Sequence, residues 1–150
     1  MLIVFDIDGT LADIEHRRGF VQSKPKNWAA FDAGIPNDSV NGAVAAVFRK
    51  FAVDQAFHTV VLASGRSEKT RAATKDWLAK NRLTGWQKLY MRKADDFRGD
   101  DIVKREILDD IIADYGQKPD MVFDDRPRVV KMWRENGIFV FDVYQGTEDF

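Results

Sequence analysis

Five short, mainly apolar runs alternate with helical patterns along this chain of 150 residues. Such runs are typical of strands that are covered on both faces. Strands that alternate with helices form βαβ crossovers, which place the strands side by side in a parallel sheet. The pattern predicts an α/β fold, a three-layer α/β/α sandwich around a mainly parallel, Rossmann-like sheet, with strands at residues 2–5, 59–64, 88–91, 120–124 and 138–143.

Apolar residues at helical spacing predict helices between these strands, within residues 39–51, 68–81, 100–116 and 126–137. In the third of these patterns we expect Ile102, Val103 and Ile107 on the buried stripe. Gly116 follows the last apolar position and is placed to end that helix.

Residues 13–38 are polar, contain two of the four prolines and show little periodicity. We expect a long loop with one short helix around Trp28–Phe31, forming a small cap insert in a single domain that spans residues 1–150. A loop of this length in a compact domain is usually functional. Packing of Trp28 and Phe31 on the domain is favoured, and stacking on a nucleic-acid base is the alternative.

The composition excludes several classes of protein. A formal net charge of −1 provides no global basic field for tight, sequence-independent duplex binding. Because the chain has no cysteine, disulfides, thiolate zinc sites and thiol catalysis are excluded. No apolar run reaches the length of a membrane span. We therefore expect a soluble, intracellular, cytoplasmic protein without a membrane partner.

Small, charged and hydroxyl residues follow four of the predicted strands, at the edge of the sheet where parallel α/β proteins bind ligands. Asp6 and Asp8 are two residues apart after the first strand, so we expect them to share one face. Carboxylates this close repel each other and require a proton or a cation. The other residues expected at this edge are Gly9, Thr10, Ser64, Gly65, Arg66, Asp100, Lys104, Asp124 and Asp125.

These residue types suit a divalent cation and a phosphate group. Carboxylates are hard oxygen ligands of the kind that Mg²⁺ prefers, and the edge supplies Asp6, Asp8, Asp124 and Asp125. Ser64 and the amides around Gly65 can hold phosphate oxygens, while Lys104 and Arg66 can neutralise the remaining charge. A phosphate whose charge is neutralised can be approached by a carboxylate.

A reaction follows from this arrangement. Asp6, at the tip of the strand, is the expected nucleophile and would form an aspartyl-phosphate. Asp8 would protonate the leaving oxygen and then deprotonate the attacking water, and Thr10 would help to fix the position of Asp8. The sequence therefore predicts a phosphomonoesterase.

The string DIDGT, a Ser–Gly pair after the second strand, a downstream lysine and a DD pair after the fourth strand resemble the four motifs of the haloacid dehalogenase (HAD) phosphohydrolase superfamily. The strings RGDDIVKREI and DDRPRVVKMWRENGI are similar to those of phage polynucleotide kinase/phosphatase 3′-phosphatase domains. The resemblance spans nearly the whole chain and implies a HAD-type fold that hydrolyses a 3′-phosphate at a nucleic-acid end.

The resemblance also implies roles for individual residues. Arg17 and Arg66 would contact the substrate phosphate or the transition state, and Asp100 with Lys104 would neutralise the phosphate. Asp124 and Asp125 would be acids of the metal site, with Asp6 as nucleophile and Asp8 as acid and base.

Other functions stay open at this stage. One is a phosphatase of nucleotides or other small phosphate esters, and another is a non-catalytic phosphoacceptor or phosphate-binding module. The chain contains no GxxxxGK[ST] phosphate loop, so kinase activity is not supported. A third alternative is a detached half of a bifunctional repair enzyme that is recruited by a separate kinase or ligase.

Overall fold

The computed structural model describes residues 1–147. In chain order its elements are β1 (Leu2–Phe5), β2 (Ala12–Asp13), α1 (Glu15–Gln22), α2 (Trp28–Ala33), β3 (Ser39–Val40), α3 (Gly42–Val53), β4 (Thr59–Ser67), α4 (Arg71–Lys80), β5 (Lys88–Arg92), α5 (Asp100–Tyr115), β6 (Met121–Asp124), α6 (Pro127–Glu135) and β7 (Phe139–Asp142).

Five strands form one sheet in the order β5-β4-β1-β6-β7, and each neighbouring pair is parallel. The parallel α/β fold and the five predicted strands are confirmed. Strand β4 is longer than predicted because its register with β5 shifts between Ser64 and Ser67. After this irregularity Ser67 rejoins the ladder beside Arg92.

The central strand β1 supplies side chains to two cores, since successive strand residues point to opposite faces. Phe5 belongs to one core with Phe48 of α3, and Trp77 of α4 lies in the same cluster. Val4 belongs to the other core with Trp133 of α6, and that cluster also contains much of α5. Two helices thus cover each face of the sheet, which confirms the three-layer sandwich.

Helix α5 differs from its predicted pattern at one position. Ile102 is 46% exposed, whereas Val103 and Ile107 are buried. Ile102 precedes the buried pair Val103 and Lys104 by one position and lies outside the arc of the helix that faces the sheet. Gly116 ends the helix in the left-handed region, with φ of +70°, as predicted. Among the helices in residues 1–147, none is long and apolar enough to cross a membrane.

The expectation of a long loop for residues 13–38 is wrong in part. The short helix at Trp28–Phe31 is confirmed as α2, but α1 was not foreseen. A helix that packs through apolar residues shows a stripe in the sequence, whereas the one buried residue of α1 is Arg17. A two-stranded antiparallel ladder of β2 and β3 closes the base of the insert.

Phe31 is buried, and the Arg17 guanidinium carbon lies 4.2 Å from the centre of its ring. Trp28 meets Phe31 edge to face and remains half exposed. The favoured prediction, packing on the domain, is confirmed for Phe31, which belongs to the buried core cluster, whereas Trp28 packs only partly.

Candidate active site

The carboxyl end of β1 leads directly into the site. The amide of Asp6 donates a 3.0 Å hydrogen bond to the carbonyl of Phe123, which keeps the chain beside β6 for one more residue. Gly9 then turns the chain with φ of +84°. A Cβ atom at Gly9 would lie 2.0 Å from Asp125 Oδ2, so the turn and the neighbouring carboxylate both require glycine here.

Three buried carboxylates meet at this edge. One oxygen from each of Asp6, Asp124 and Asp125 lies within 4.8 Å of the other two. Lys104 reaches them from α5: its Nζ lies 2.7 Å from Asp6 Oδ1 and 2.7 Å from Asp124 Oδ2. The structure therefore brings together four of the predicted site residues from β1, α5 and the end of β6.

Burial has the largest effect on these acids. It raises the pKa of Asp6, which the neighbouring carboxylates raise further and Lys104 lowers, so that the pKa lies well above its ordinary value. Burial and then Asp124 raise the pKa of Asp125 to about 6. Three acids thus face one ammonium group. Hard oxygen atoms in this arrangement fit a small divalent cation such as Mg²⁺, which would favour their ionised forms.

Three further hydrogen bonds orient the carboxylates. Thr10 Oγ1 donates to Asp6 Oδ2 at 3.0 Å. Trp133 Nε1 donates to Asp124 Oδ2 at 3.2 Å, and the amide of Arg126 donates to Asp124 Oδ1 at 3.2 Å. Thr10 was expected to fix Asp8, but the hydroxyl holds the first aspartate instead.

The structure does not bring the carboxylate of Asp8 into the acidic cluster. Asp8 Oδ1 accepts from Arg17 Nη2 at 2.9 Å, from Arg66 Nε at 2.8 Å and from Arg66 Nη2 at 2.5 Å. The expected sharing of a face fails because β1 ends at Phe5, so the alternation of a strand does not extend to Asp8. Of the four acids predicted to hold the metal, three have their side chains together.

Both arginines lie behind Asp8 and are buried. In this position they contact the aspartate itself, whereas the resemblance implied contacts to a substrate phosphate. Burial raises the pKa of Asp8, but Arg66 and Arg17 outweigh that effect and lower the pKa below its ordinary value. The pair thus holds Asp8 ionised, with part of its side chain facing solvent.

The buried Asp38 was missed by the sequence analysis. Its carboxylate accepts from Arg17 Nε at 2.7 Å and from Arg66 Nη2 at 2.9 Å, and His16 Nε2 lies 2.8 Å away. Trp77 Nε1 donates to the main-chain carbonyl of Asp38 at 2.8 Å. Asp38 ends the polar segment 13–38 and belongs to no recognised motif. The one available signal was indirect, since a buried arginine requires an anion.

Ser64 and Gly65 occupy the irregularity in β4. Ser64 is buried, and its Oγ accepts the amide hydrogen of Arg66 at 3.1 Å. The carbonyl of Gly65 accepts from Arg92 Nε at 2.8 Å. Both predicted residues therefore lie at the carboxyl edge beside Arg66, whose guanidinium binds Asp8.

Asp100 begins α5 and forms ion pairs with Arg92 and Arg126. Burial raises its pKa, but the surrounding cations, Arg126 foremost, outweigh burial and lower the pKa. Asp100 therefore positions two arginines at the site edge. Neither arginine was assigned a role from the sequence, although Arg126 follows the predicted acidic pair directly.

Residues 1–150 match the family model described as the polynucleotide kinase PNKP phosphatase domain. A curated relative, a putative bifunctional polynucleotide kinase/RNA ligase of Autographa californica nuclear polyhedrosis virus, is 30% identical over 149 residues. That match covers 99% of this chain and 20% of the relative. This chain therefore spans about a fifth of the relative's length.

Solved structures agree with this match. A chain in the Pnkp1/Rnl/Hen1 RNA repair complex aligns with a TM-score of 0.76 and 30% identity, covering 98% of this chain and 43% of that chain. The haloacid dehalogenase-like hydrolase SP0104 from Streptococcus pneumoniae aligns with a TM-score of 0.69 and 13% identity, covering 99% and 86%. The second likeness concerns the fold alone.

Proposed function

We propose that this chain removes phosphate from the 3′ ends of nucleic-acid strands. The chain belongs to the family of polynucleotide kinase PNKP phosphatase domains and is a HAD-type phosphatase domain. One observation carries the chemistry: Asp6 lies among buried acids, with one oxygen bound by Lys104 and the other by Thr10. This arrangement supports a carboxylate nucleophile that is aimed and partly neutralised before substrate arrives.

In the proposed reaction, an oxygen of Asp6 bonds to phosphorus while the bond between phosphorus and the 3′ oxygen breaks. Water then attacks the aspartyl-phosphate, which releases inorganic phosphate and restores the Asp6 carboxylate. Lys104 stabilises the negative charge around the transferred group. Its ammonium is held by Asp6 and Asp124, so little reorganisation is needed.

Mg²⁺ is the proposed cofactor, and Asp6, Asp124 and Asp125 would hold it. The cation would neutralise phosphate charge and thereby permit a carboxylate to approach phosphorus. The hydrogen bonds from Trp133 and from the Arg126 amide keep Asp124 turned toward the cluster.

Asp8 is the proposed acid and base. Its carboxylate stands outside the acidic cluster, and it remains partly open to solvent. Arg17 and Arg66 position it, and Asp38 in turn holds both guanidinium groups. Positioning of this kind orients Asp8 for proton transfer. In its ionised form it can deprotonate the attacking water, and it must first take up a proton to protonate the leaving oxygen.

The 3′ ends of nucleic acids are the proposed substrates for two reasons. The matched relatives carry polynucleotide kinase, RNA ligase or RNA repair in their descriptions. In addition, the insert between β2 and β3 contains two short helices of eight and six residues, which suits a site that admits a polymer end. Because the relatives are longer or belong to a complex, we also propose that a kinase or ligase activity works beside this domain.

The test is a comparison of phosphate esters in Mg²⁺ buffer: a 3′-phosphorylated oligonucleotide, the same strand with a 5′-phosphate, a nucleoside 3′-monophosphate and p-nitrophenyl phosphate. We expect the highest kcat/KM for the 3′-phosphorylated strand. A higher kcat/KM for the monophosphate would instead support a phosphatase of small esters and overturn the proposed substrate. Asp6→Asn serves as the blank for contaminating phosphatases.

A further inference from the structure

An exposed phenylalanine lies in the loop of residues 93–99, which joins β5 to α5 at the carboxyl edge of the sheet. Phe97 is 87% exposed, the largest exposed fraction among the large hydrophobic side chains in residues 1–147. Covering this ring would remove a large apolar surface from water, which favours binding. The ring is therefore available to a ligand at this edge of the sheet.

The loop holds Phe97 outward through its own contacts. Arg92 donates to the carbonyls of Asp96 and Arg98, at 3.2 Å and 2.6 Å, and so fastens the residues on both sides of Phe97. The Asp96 carboxylate accepts from the Arg98 amide at 3.1 Å and from its guanidinium. Glu106 of α5 also binds Arg98, with distances of 2.7 Å and 2.9 Å. The ring is thus presented by an anchored loop.

The same contacts connect the loop to the proposed active site. Arg92 Nε donates to the carbonyl of Gly65, and the next residue, Arg66, binds Asp8. Arg92 and Arg126 share Asp100, and the amide of Arg126 binds Asp124. Phe97 therefore lies in a loop that these hydrogen bonds connect to the residues around the acidic cluster, at the rim of the proposed site.

Positive charge accompanies the ring. Lys93 begins the loop, and Arg128 of α6 reaches its end: a Cβ atom at Gly99 would lie 3.6 Å from Arg128 Nη1, and 2.7 Å from Asp101 Oδ1. Neither Lys93 nor Arg128 forms an ion pair with any residue of the described range 1–147. Lys93 does act electrostatically on Glu106. An exposed aromatic ring in a loop that exposed cations flank is an arrangement that can bind single-stranded nucleic acid, since bases stack on the ring and phosphates meet the cations.

The geometry points to a base-stacking platform on this rim, formed by Phe97 with Lys93 and Arg128, that holds a nucleoside next to the 3′-phosphate during hydrolysis. This inference rests on the proposed function and adds the residue that distinguishes a strand from a small ester. The net charge of −1 does not oppose it, because the platform is local and touches a single strand.

The test compares Phe97→Ala with a matched control, Phe57→Ala. Phe57 is 73% exposed and lies at the opposite end of the sheet, where its carbonyl accepts from the Met1 ammonium. The readout is the ratio of kcat/KM for a 3′-phosphorylated oligonucleotide to kcat/KM for p-nitrophenyl phosphate. Stacking of one base is worth about 1–3 kcal/mol, so Phe97→Ala should lower this ratio by about 5- to 150-fold.

Three controls sharpen the result. Phe57→Ala should keep the parental ratio of the two kcat/KM values. Phe97→Trp, which retains an aromatic ring, should also keep this ratio, whereas Phe97→Leu should lower it. An abasic nucleoside next to the 3′-phosphate should reduce kcat/KM in the parent but have little additional effect in Phe97→Ala. A parental ratio in Phe97→Ala, with the parent active on the strand, overturns the platform alone. A parent that hydrolyses p-nitrophenyl phosphate and not the strand overturns the proposed function and the platform together.

Discussion

Lys104 Nζ donates a 2.7 Å hydrogen bond to Asp6 Oδ1, joining α5 to the end of β1 across 98 positions of the chain. Both groups are buried, and a second 2.7 Å bond from the same ammonium reaches Asp124. Burial lowers the pKa of Lys104, but Asp124 and Asp6 outweigh that effect and raise it, so the lysine stays charged. A permanent cation beside the expected nucleophile is the central feature of this site.

Replacing Asp6 with asparagine should abolish turnover, because an amide is a poor nucleophile. We expect kcat to fall by about four orders of magnitude or more. The melting temperature without metal should equal or exceed that of the parent, since one of three clustered acids is removed while the amide oxygen still accepts from Lys104 and the Thr10 hydroxyl can turn to accept from the amide NH2. Steady-state kinetics measure kcat, and circular dichroism measures the melting temperature. Near-parental turnover would refute the assignment of Asp6 as the nucleophile.

Removing divalent cations with EDTA should eliminate activity, and Mg²⁺ should restore it. Bound Mg²⁺ should also raise the melting temperature, because it binds the folded state. In Asp125→Asn the Mg²⁺ concentration for half-maximal activity should rise by at least about tenfold. An unchanged Mg²⁺ concentration for half-maximal activity in that variant would show that Asp125 does not bind the metal.

Asp38→Asn should reduce kcat/KM by about 10–100-fold, although the side chain is buried behind the arginines. The amide loses the charge that holds Arg17 and Arg66, and these in turn orient Asp8. Glu15→Gln, an exposed change in the same insert, is the control and should keep parental activity. If Arg66→Lys and Asp38→Asn act on one network, their effects will not add. Strict additivity would argue that the two residues act separately.

Gly9→Ala should damage the metal site beyond its backbone cost. Gly116→Ala is a matched control, because Gly116 also has positive φ but has no atom within 4 Å of a built Cβ. Both variants should lose about 1 kcal/mol of stability. In Gly9→Ala alone the new methyl displaces the Asp125 carboxylate, so Mg²⁺ affinity and kcat should also fall. Equal kinetics for the two variants would contradict the close approach to Asp125.

Asp100 should stabilise the fold in a pH-dependent way. Its pKa is lower in the folded protein than in the unfolded chain, so its contribution is present above the unfolded pKa and is lost as pH falls through the folded pKa. Asp100→Asn should therefore cost about 2 kcal/mol at pH 7. The difference from the parent should shrink below about pH 4. Urea unfolding at several pH values measures the difference in unfolding free energy between the parent and the variant. A difference that is independent of pH would show that Asp100 does not act through its charge.

Much of the architecture could be predicted from local patterns. The apolar runs identified all five strands of the parallel sheet, because strands covered on both faces carry almost no polar residues. The strand-end rule also grouped Asp6, Lys104, Asp124 and Asp125 correctly, since the carboxyl ends of parallel strands meet at one edge. Helix α1 could not be predicted in this way, because it packs through Arg17 and lacks an apolar stripe.

The sequence by itself determined the order of strands and helices and the edge at which the charged residues collect, since these depend on apolar periodicity and chain direction. Only the tertiary structure decided how those charges pair. Asp8 turns to Arg17 and Arg66, and Asp38 closes that network from the end of the insert. Ion pairs between distant segments leave no periodic trace in a sequence. They follow from which buried groups the fold brings within hydrogen-bonding distance, where an unpaired charge would be costly.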